Sequence, residues 1–325
     1  MEKIRPGTIN RVVGATPDKE KEMIAINKAT FDGNYIPKLR DEVAELSEEQ
    51  TRAIKLAHEV ANEMLRSMGI QEFSVPAKNL HVIKKKYWAD YKNETASAFA
   101  DLTKGHIFIQ EGLPLTAFAE AALHEFFHMR SYNALQVPFA KDATSQRLAP
   151  YRTGLQLHTR PDHTKVRFNA LNEALMEELT RQCCKTLFKD AIFADEVNAF
   201  EKIKKLPNLQ DDTGKRLSFE NVFYAQISEE KVSGKTTTGT FHKWEFAHAS
   251  ERNALHILEN KIYVRNRKHF PIGLNGVSQM FIRAAMDGNM LPLRIVDKTF
   301  GKGTLKKISE FEEGSGDLER FVKRL

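Results

Sequence analysis

At 325 residues, with 41% hydrophobic and 28% charged side chains, the chain has ordinary globular composition and room for one large or two modest domains. No apolar run approaches the ~20 residues of a membrane span, Met1 to Pro6 lack the apolar core of a secretory signal, and the adjacent pair Cys183-Cys184 is no disulfide framework, so a cytoplasmic protein is expected. The net charge of +6 is mild, and Lys84-Lys85-Lys86 beside Tyr87 and Trp88 is read as a solvated turn next to core aromatics, so nucleic acid is not an expected partner.

In chain order, residues 1–36 show little periodicity and are expected to form an extended arm. Residues 37–140 are expected to form a lobe of mixed strand and helix. Within it Ser47-Glu48-Glu49-Gln50 is a capping box opening a helix to about Met68, which Gly69 closes. Residues 97–101 and 106–110 flank Thr103-Lys104-Gly105 and read as a hairpin, with His106 a surface strand residue. Leu113-Pro114-Leu115-Thr116 then starts a helix with Thr116 as its expected N-cap, and the apolar run from Ala117 to Leu123 carries it forward.

That helix leads into His124-Glu125-Phe126-Phe127-His128. Histidines at i and i+4 project from one helical face, a spacing at which two ring nitrogens can hold one zinc ion at roughly 2.0–2.1 Å each. Glu125 beside them can point its carboxylate at a water held by the ion. Residue frequencies give a chance expectation of roughly 0.03 such matches in this chain, so the pattern carries weight. The plain alternative is a satisfied histidine pair on a half-buried helix.

A zinc hydrolase needs a third protein donor. A third His six residues past the second, after an intervening Gly, is excluded because Ala134 and Ser131 stand there. The other solution is a Glu from a later helix, and Asn172-Glu173-Ala174-Leu175-Met176-Glu177 again places two carboxylates at i and i+4. Glu173 can bind the ion while Glu177, one turn on, accepts the outward N–H of a ligand histidine. Glu178 competes for the ligand role. A solvated acidic face opposite Leu171, Leu175 and Leu179, with Glu177 and Arg181 as a surface pair, would show the same spacing.

His-Glu-x-x-His followed by Asn-Glu-x-x-x-Asp/Glu resembles the gluzincin metallopeptidases, the thermolysin-like branch of the zincins, over about residues 97–181. The resemblance implies His124, His128 and Glu173 as ligands of one zinc ion, Glu125 as general base and proton shuttle, and Glu177 as support for a ligand histidine. Asp is frequent in that family where Glu177 stands here. It also implies that the strand before the metal helix rims the cleft, where an extended peptide or protein substrate could add as a strand.

Beyond the motif, residues 141–168 read as a polar connection holding His158 and His163. Helices follow near 170–188 and 195–205, and 206–243 is irregular. Gly234-Lys235-Thr236 there is no phosphate loop, since Glu229 occupies the place of the needed earlier glycine. Helices resume near 249–265 and 276–287, two short ones flank Gly301-Lys302-Gly303, and 317–324 forms the last. With strands only before the metal helix, the expected fold is α+β and predominantly α-helical. It is zincin-like, with a small strand-containing upper lobe, a helical lower lobe over 141–325, and the metal in the cleft between. The expected activity is zinc-dependent peptide hydrolysis, with Tyr224, His158, His163, His242 and His248 as candidate oxyanion donors. A degenerate zincin that binds metal without turnover, and a basic helical interaction protein, are the alternatives.

Overall fold

The computed structural model describes residues 9–32, 41–92, 96–102, 105–137, 149–158, 165–206, 219, 221–227, 230–232, 235–237 and 241–325. The expectation of an extended N-terminal arm fails over its described part. Strand β1 (Arg11–Val13) and the 16-residue helix α1 (Pro17–Asp32) occupy it. Glu20 on α1 accepts the backbone N–H of Val12 at 2.8 Å and ties the two together.

A short β2 (Val43–Ala44) precedes α2 (Glu48–Ser67), which starts as the capping box requires. The Gln50 N–H donates to Ser47 Oγ and the Ser47 N–H to Gln50 Oε1, both at 3.0 Å. Ala53, Ala57, Ala61 and Leu65 recur at helical spacing and are fully buried. The run of alanines lets α2 lie close along the helix that carries His124 and His128. Strands β3 (Leu80–Ile83), β4 (Ala98–Asp101) and β5 (His106–Gln110) join β2 in a sheet of order β2-β3-β5-β4, with β3 and β5 parallel and the other pairs antiparallel. The expected hairpin is therefore β4–β5, with Thr103 and Lys104 outside the described residues.

His106 is not a surface residue. Strand β5 is covered on both faces: Ile107 and Ile109 enter the main core, and Phe108 packs with Ile83 and Trp88. His106 and His81 lie on that second face, 2% and 4% exposed, with His81 Nε2 2.8 Å from His106 Nδ1. Alternation along a strand tells exposure only when one face is wet. Trp88 is 1% exposed, in line with the reading of the lysine cluster as a turn beside core aromatics.

Helix α3 (Leu115–Arg130) begins after Pro114, and its cap is a correction. Thr116 is not the N-cap. Its hydroxyl and the N–H groups of Leu115 and Thr116 all donate to the Glu196 carboxylate, at 2.7, 2.7 and 2.8 Å respectively. A carboxylate at a helix start satisfies orphan donors and meets the positive end of the helix dipole.

The expectation that strands stop at α3 is also overturned. Strands β6 (Asn133–Gln136), β7 (Ala149–Thr153), β8 (Gln156–His158) and β9 (Val166–Arg167) join β1 in a second sheet of order β1-β6-β7-β8-β9. The supposed polar connection over 141–168 thus contains three of its strands. After α4 (Asn169–Leu187) and α5 (Ala194–Lys204), the stretch expected to be irregular holds β10 (Val222–Ile227), β11 (Glu230–Val232), β12 (Lys235–Thr237) and β13 (Phe241–Glu245), paired β10–β13 and β11–β12. Gly234 lies outside the described residues. The chain ends in α6 (Ala249–Arg265), α7 (Leu274–Asp287), α8 (Ile295–Phe300), α9 (Thr304–Ile308) and α10 (Asp317–Arg324), close to the predicted helices. The fold is mixed α+β and predominantly helical.

Helix α4 packs against α2, α3 and α6, and residues all round it are buried. A solvated acidic face is therefore excluded. No described helix is long and apolar enough to cross a membrane.

Candidate metal centre

Helix α3 is apolar and buried along most of its length, and Glu120, His124, Glu125 and His128 project from it into a cleft of about 730 Å3. Strand β4 forms one wall, with Ala98, Phe99 and Ala100 at the surface of the cavity. Helix α4 crosses α3 and brings Glu173 and Glu177 to the floor.

The three expected donors converge. His124 Nε2 and His128 Nε2 lie 3.0 Å apart, and Glu173 Oε2 lies 3.2 Å from His128 Nε2 and 3.6 Å from His124 Nε2. Tetrahedral coordination with bonds of roughly 2.0–2.1 Å requires donor–donor edges of about 3.3–3.4 Å, so the triangle has the size a zinc ion needs. The chemistry of the set agrees, with two imidazoles and one carboxylate.

Glu177 fixes the proton on His124. Its Oε2 lies 2.8 Å from His124 Nδ1, and its Oε1 accepts the Ala247 N–H at 2.8 Å. Although only 1% exposed, this carboxylate has a hydrogen-bond partner for each oxygen. With Nδ1 engaged by Glu177, it is His124 Nε2 that faces His128 and Glu173.

The titration of the cluster follows from burial and these contacts. Burial opposes the charged form of His124, but hydrogen bonds to Glu173 and Glu177 outweigh it and push the imidazole well above its ordinary value. Burial would raise Glu173, yet the adjacent His128 and His124 hold it well below the usual carboxylate range. Burial pushes Glu125 up, with the two histidines pulling the other way. Carboxylates that draw a proton to His124 draw a divalent cation by the same attraction.

Glu178 does not compete. It turns to the other side of α4, where Arg181 donates to it at 2.7 and 2.9 Å and Gln182 at 2.9 Å. His256 Nε2 lies 3.3 Å from it and is raised to about 9, first by this hydrogen bond. Arg181 thus pairs with Glu178, not with Glu177.

Of the candidate oxyanion donors among the described residues, only His248 lines the cleft. It precedes α6 with φ 54°, the left-handed region that a non-glycine residue rarely occupies, and its Nδ1 lies 3.4 Å from Glu313 Oε1. The other described candidates do not line it. Tyr224 is buried on β10 against Trp244, His242 is exposed on β13, and His158 is half-buried on β8. His163 lies outside the described residues.

Three features escaped the sequence. Glu120 is one helical turn before His124, and burial together with the Glu177 charge raises its carboxyl well above the ordinary range. Extending the i, i+4 series backwards would have found it. The Ala247 N–H and the Gln156 amide carry no local signal, since each meets α4 only through the fold. Comparison of the chain with protein-family models, curated proteins and solved structures gave no match.

Proposed function

We propose that the protein is a zinc-dependent peptidase of the gluzincin kind, with His124, His128 and Glu173 holding one zinc ion. The observation that carries this reading is the donor triangle of 3.0, 3.2 and 3.6 Å, with Glu125 beside it in the cleft and Glu177 on the outer nitrogen of His124. In this reading the sheet of β2 to β5 with α2 and α3 is the upper lobe, the largely helical region from α4 onward is the lower lobe, and the cleft separates them. Two buried free thiols on α4 fit a reducing compartment such as the cytoplasm.

The zinc ion would supply Lewis acidity and bring the pKa of a water molecule near neutrality. Glu125, its carboxyl raised by burial, takes the proton of the attacking water and delivers it to the leaving nitrogen. Glu177 keeps His124 in the tautomer that leaves Nε2 unprotonated. Strand β4 pairs only with β5 among the described residues and borders the cavity, so an extended peptide or protein can add along its other edge. His248, facing the cavity across from α3, is placed to donate to the developing oxyanion.

The test is a peptide-library digestion by the zinc-loaded protein and by Glu125→Gln, with zinc content measured on both. We expect one zinc per chain in each and a loss of turnover of about 10²–10⁴-fold in the variant. Full activity of Glu125→Gln with zinc still bound would show that the reading is wrong. A zinc-loaded wild type that cleaves nothing would instead leave a metal-binding protein without turnover.

A further inference from the structure

The turn between β7 and β8 rests on α4 beside the third donor. Thr153 pairs with Gln156, so Gly154 and Leu155 form the turn. The Leu155 N–H donates to Asn172 Oδ1 at 2.8 Å, one residue before Glu173. The approach is close: Gly154 has φ +57°, and a Cβ there would lie 2.4 Å from Asn172 Oδ1. Only glycine lets the turn sit this near the helix. The next residue in β8 is Gln156, and its Nε2 donates to Glu173 Oε1 at 2.8 Å and to Asn169 Oδ1 at 2.6 Å.

The orientation of this amide is determined by its surroundings. Asn169 Nδ2 donates to Glu313 Oε2 at 2.9 Å, and a carboxylate only accepts. The Asn169 oxygen must then face Gln156, and the Gln156 NH2 must face both Asn169 and Glu173. Two amides thus lie in series between two carboxylates: the Gln156 NH2 donates to Glu173 on one side and to Asn169 on the other, and Asn169 donates onward to Glu313. Glu173 Oε1 is occupied by Gln156, while Oε2 is the atom near both imidazoles.

We propose that Gln156 is a positioning residue for the third donor: it restrains Glu173 to present Oε2 alone to the histidines, and Asn169 with Glu313 fixes the sense of its amide. This rests on the zinc reading above. A carboxylate free to rotate can give both oxygens to a cation and fill the place that a hydrolase leaves open. The side chain that holds Oε1 therefore sets both affinity and coordination number.

The experiment uses the full chain with Gln156→Met, which keeps the length of the side chain and removes the donor. Zinc affinity is read by competition with a chromophoric chelator, and coordination by the visible absorption of the cobalt-substituted protein. We expect a 10–100-fold rise in the zinc dissociation constant and weaker cobalt bands, as the coordination number increases, with an unchanged circular dichroism spectrum. Gln156→Leu, shorter and likewise without a donor or a charge, serves as the second variant, with the same weakening expected. A folded variant of either kind with wild-type affinity and cobalt spectrum overturns the proposal. Loss of fold in both variants also overturns it, since the role would then be structural. A wild type that binds no zinc overturns the underlying zinc reading as well, which separates the two failures.

Discussion

Glu177→Gln changes one acceptor oxygen into a donor at a place where both acceptors are in use. The carboxylate takes the His124 Nδ1 proton at 2.8 Å on one oxygen and the Ala247 N–H at 2.8 Å on the other. A glutamine can satisfy only one of them. If its oxygen faces His124, its NH2 meets the Ala247 N–H and two donors oppose each other. If its oxygen faces Ala247, His124 must accept at Nδ1 and carry its proton on Nε2, the atom aimed at His128 and Glu173. The first arrangement leaves a buried donor orphaned, at about 1–3 kcal/mol of stability. The second weakens metal binding, and loss of such a supporting partner ordinarily amounts to 10–100-fold, or about 1.4–2.7 kcal/mol. Both readouts are accessible: urea unfolding of the metal-free protein, and chelator competition for zinc. We expect Glu177→Gln to lose on at least one of the two scales by these amounts. A variant as stable as wild type that also binds zinc as tightly would refute the reasoning.

Two further predictions concern stability. Burial, with help from His106, lowers His81 to about 4 from the ordinary 6.5, so unfolding takes up a proton between those values. Its contribution is therefore fully present above about pH 6.5 and is lost as pH falls toward 4, by at most about 3 kcal/mol. Urea midpoints of wild type and His81→Phe should converge or cross as the pH is lowered through that window, and a pH-independent difference would contradict the assignment. Glu196→Ala removes the acceptor of three hydrogen bonds at the start of α3, including that of the fully buried Thr116 hydroxyl. We expect about 2–4 kcal/mol of destabilisation in urea from the lost cap and the stranded hydroxyl, and a change below about 0.5 kcal/mol would rule the cap out.

What the sequence discloses about this site comes from short-range helical geometry. His124 and His128, like Glu173 and Glu177, are pairs within one helix, and the 3.6-residue period places each pair on one face whatever the rest of the chain does. The same period turns Glu178 about 100° away from Glu177, toward Arg181 and His256, although composition alone could not separate them. The misreadings have long-range causes. Thr116 looked like a cap because nothing nearby announces Glu196, which arrives from 80 residues downstream. Strands β6 to β13 are short, and their pairing partners, not their own alternation, make them strands. His106 looked exposed because a strand covered on both faces gives its polar-looking positions no water to meet. Gln156 is reached through a turn that docks on another element, so its place beside Glu173 belongs to the tertiary structure alone.

Strand β1 has a practical bearing on how the molecule is handled. It lies parallel to β6, which follows directly on α3, with the Asn10 N–H bonded to Asn133 O at 2.7 Å and Asn10 Oδ1 accepting the Asn133 N–H. These contacts join positions 123 residues apart. Trimming the first dozen or so amino acids, as is commonly done to improve a recombinant product, would strip β6 of its neighbour and leave a raw sheet margin able to recruit other chains. Proteolytic clipping near residue 13 should therefore show itself as aggregation while His124, His128 and Glu173 are still in place.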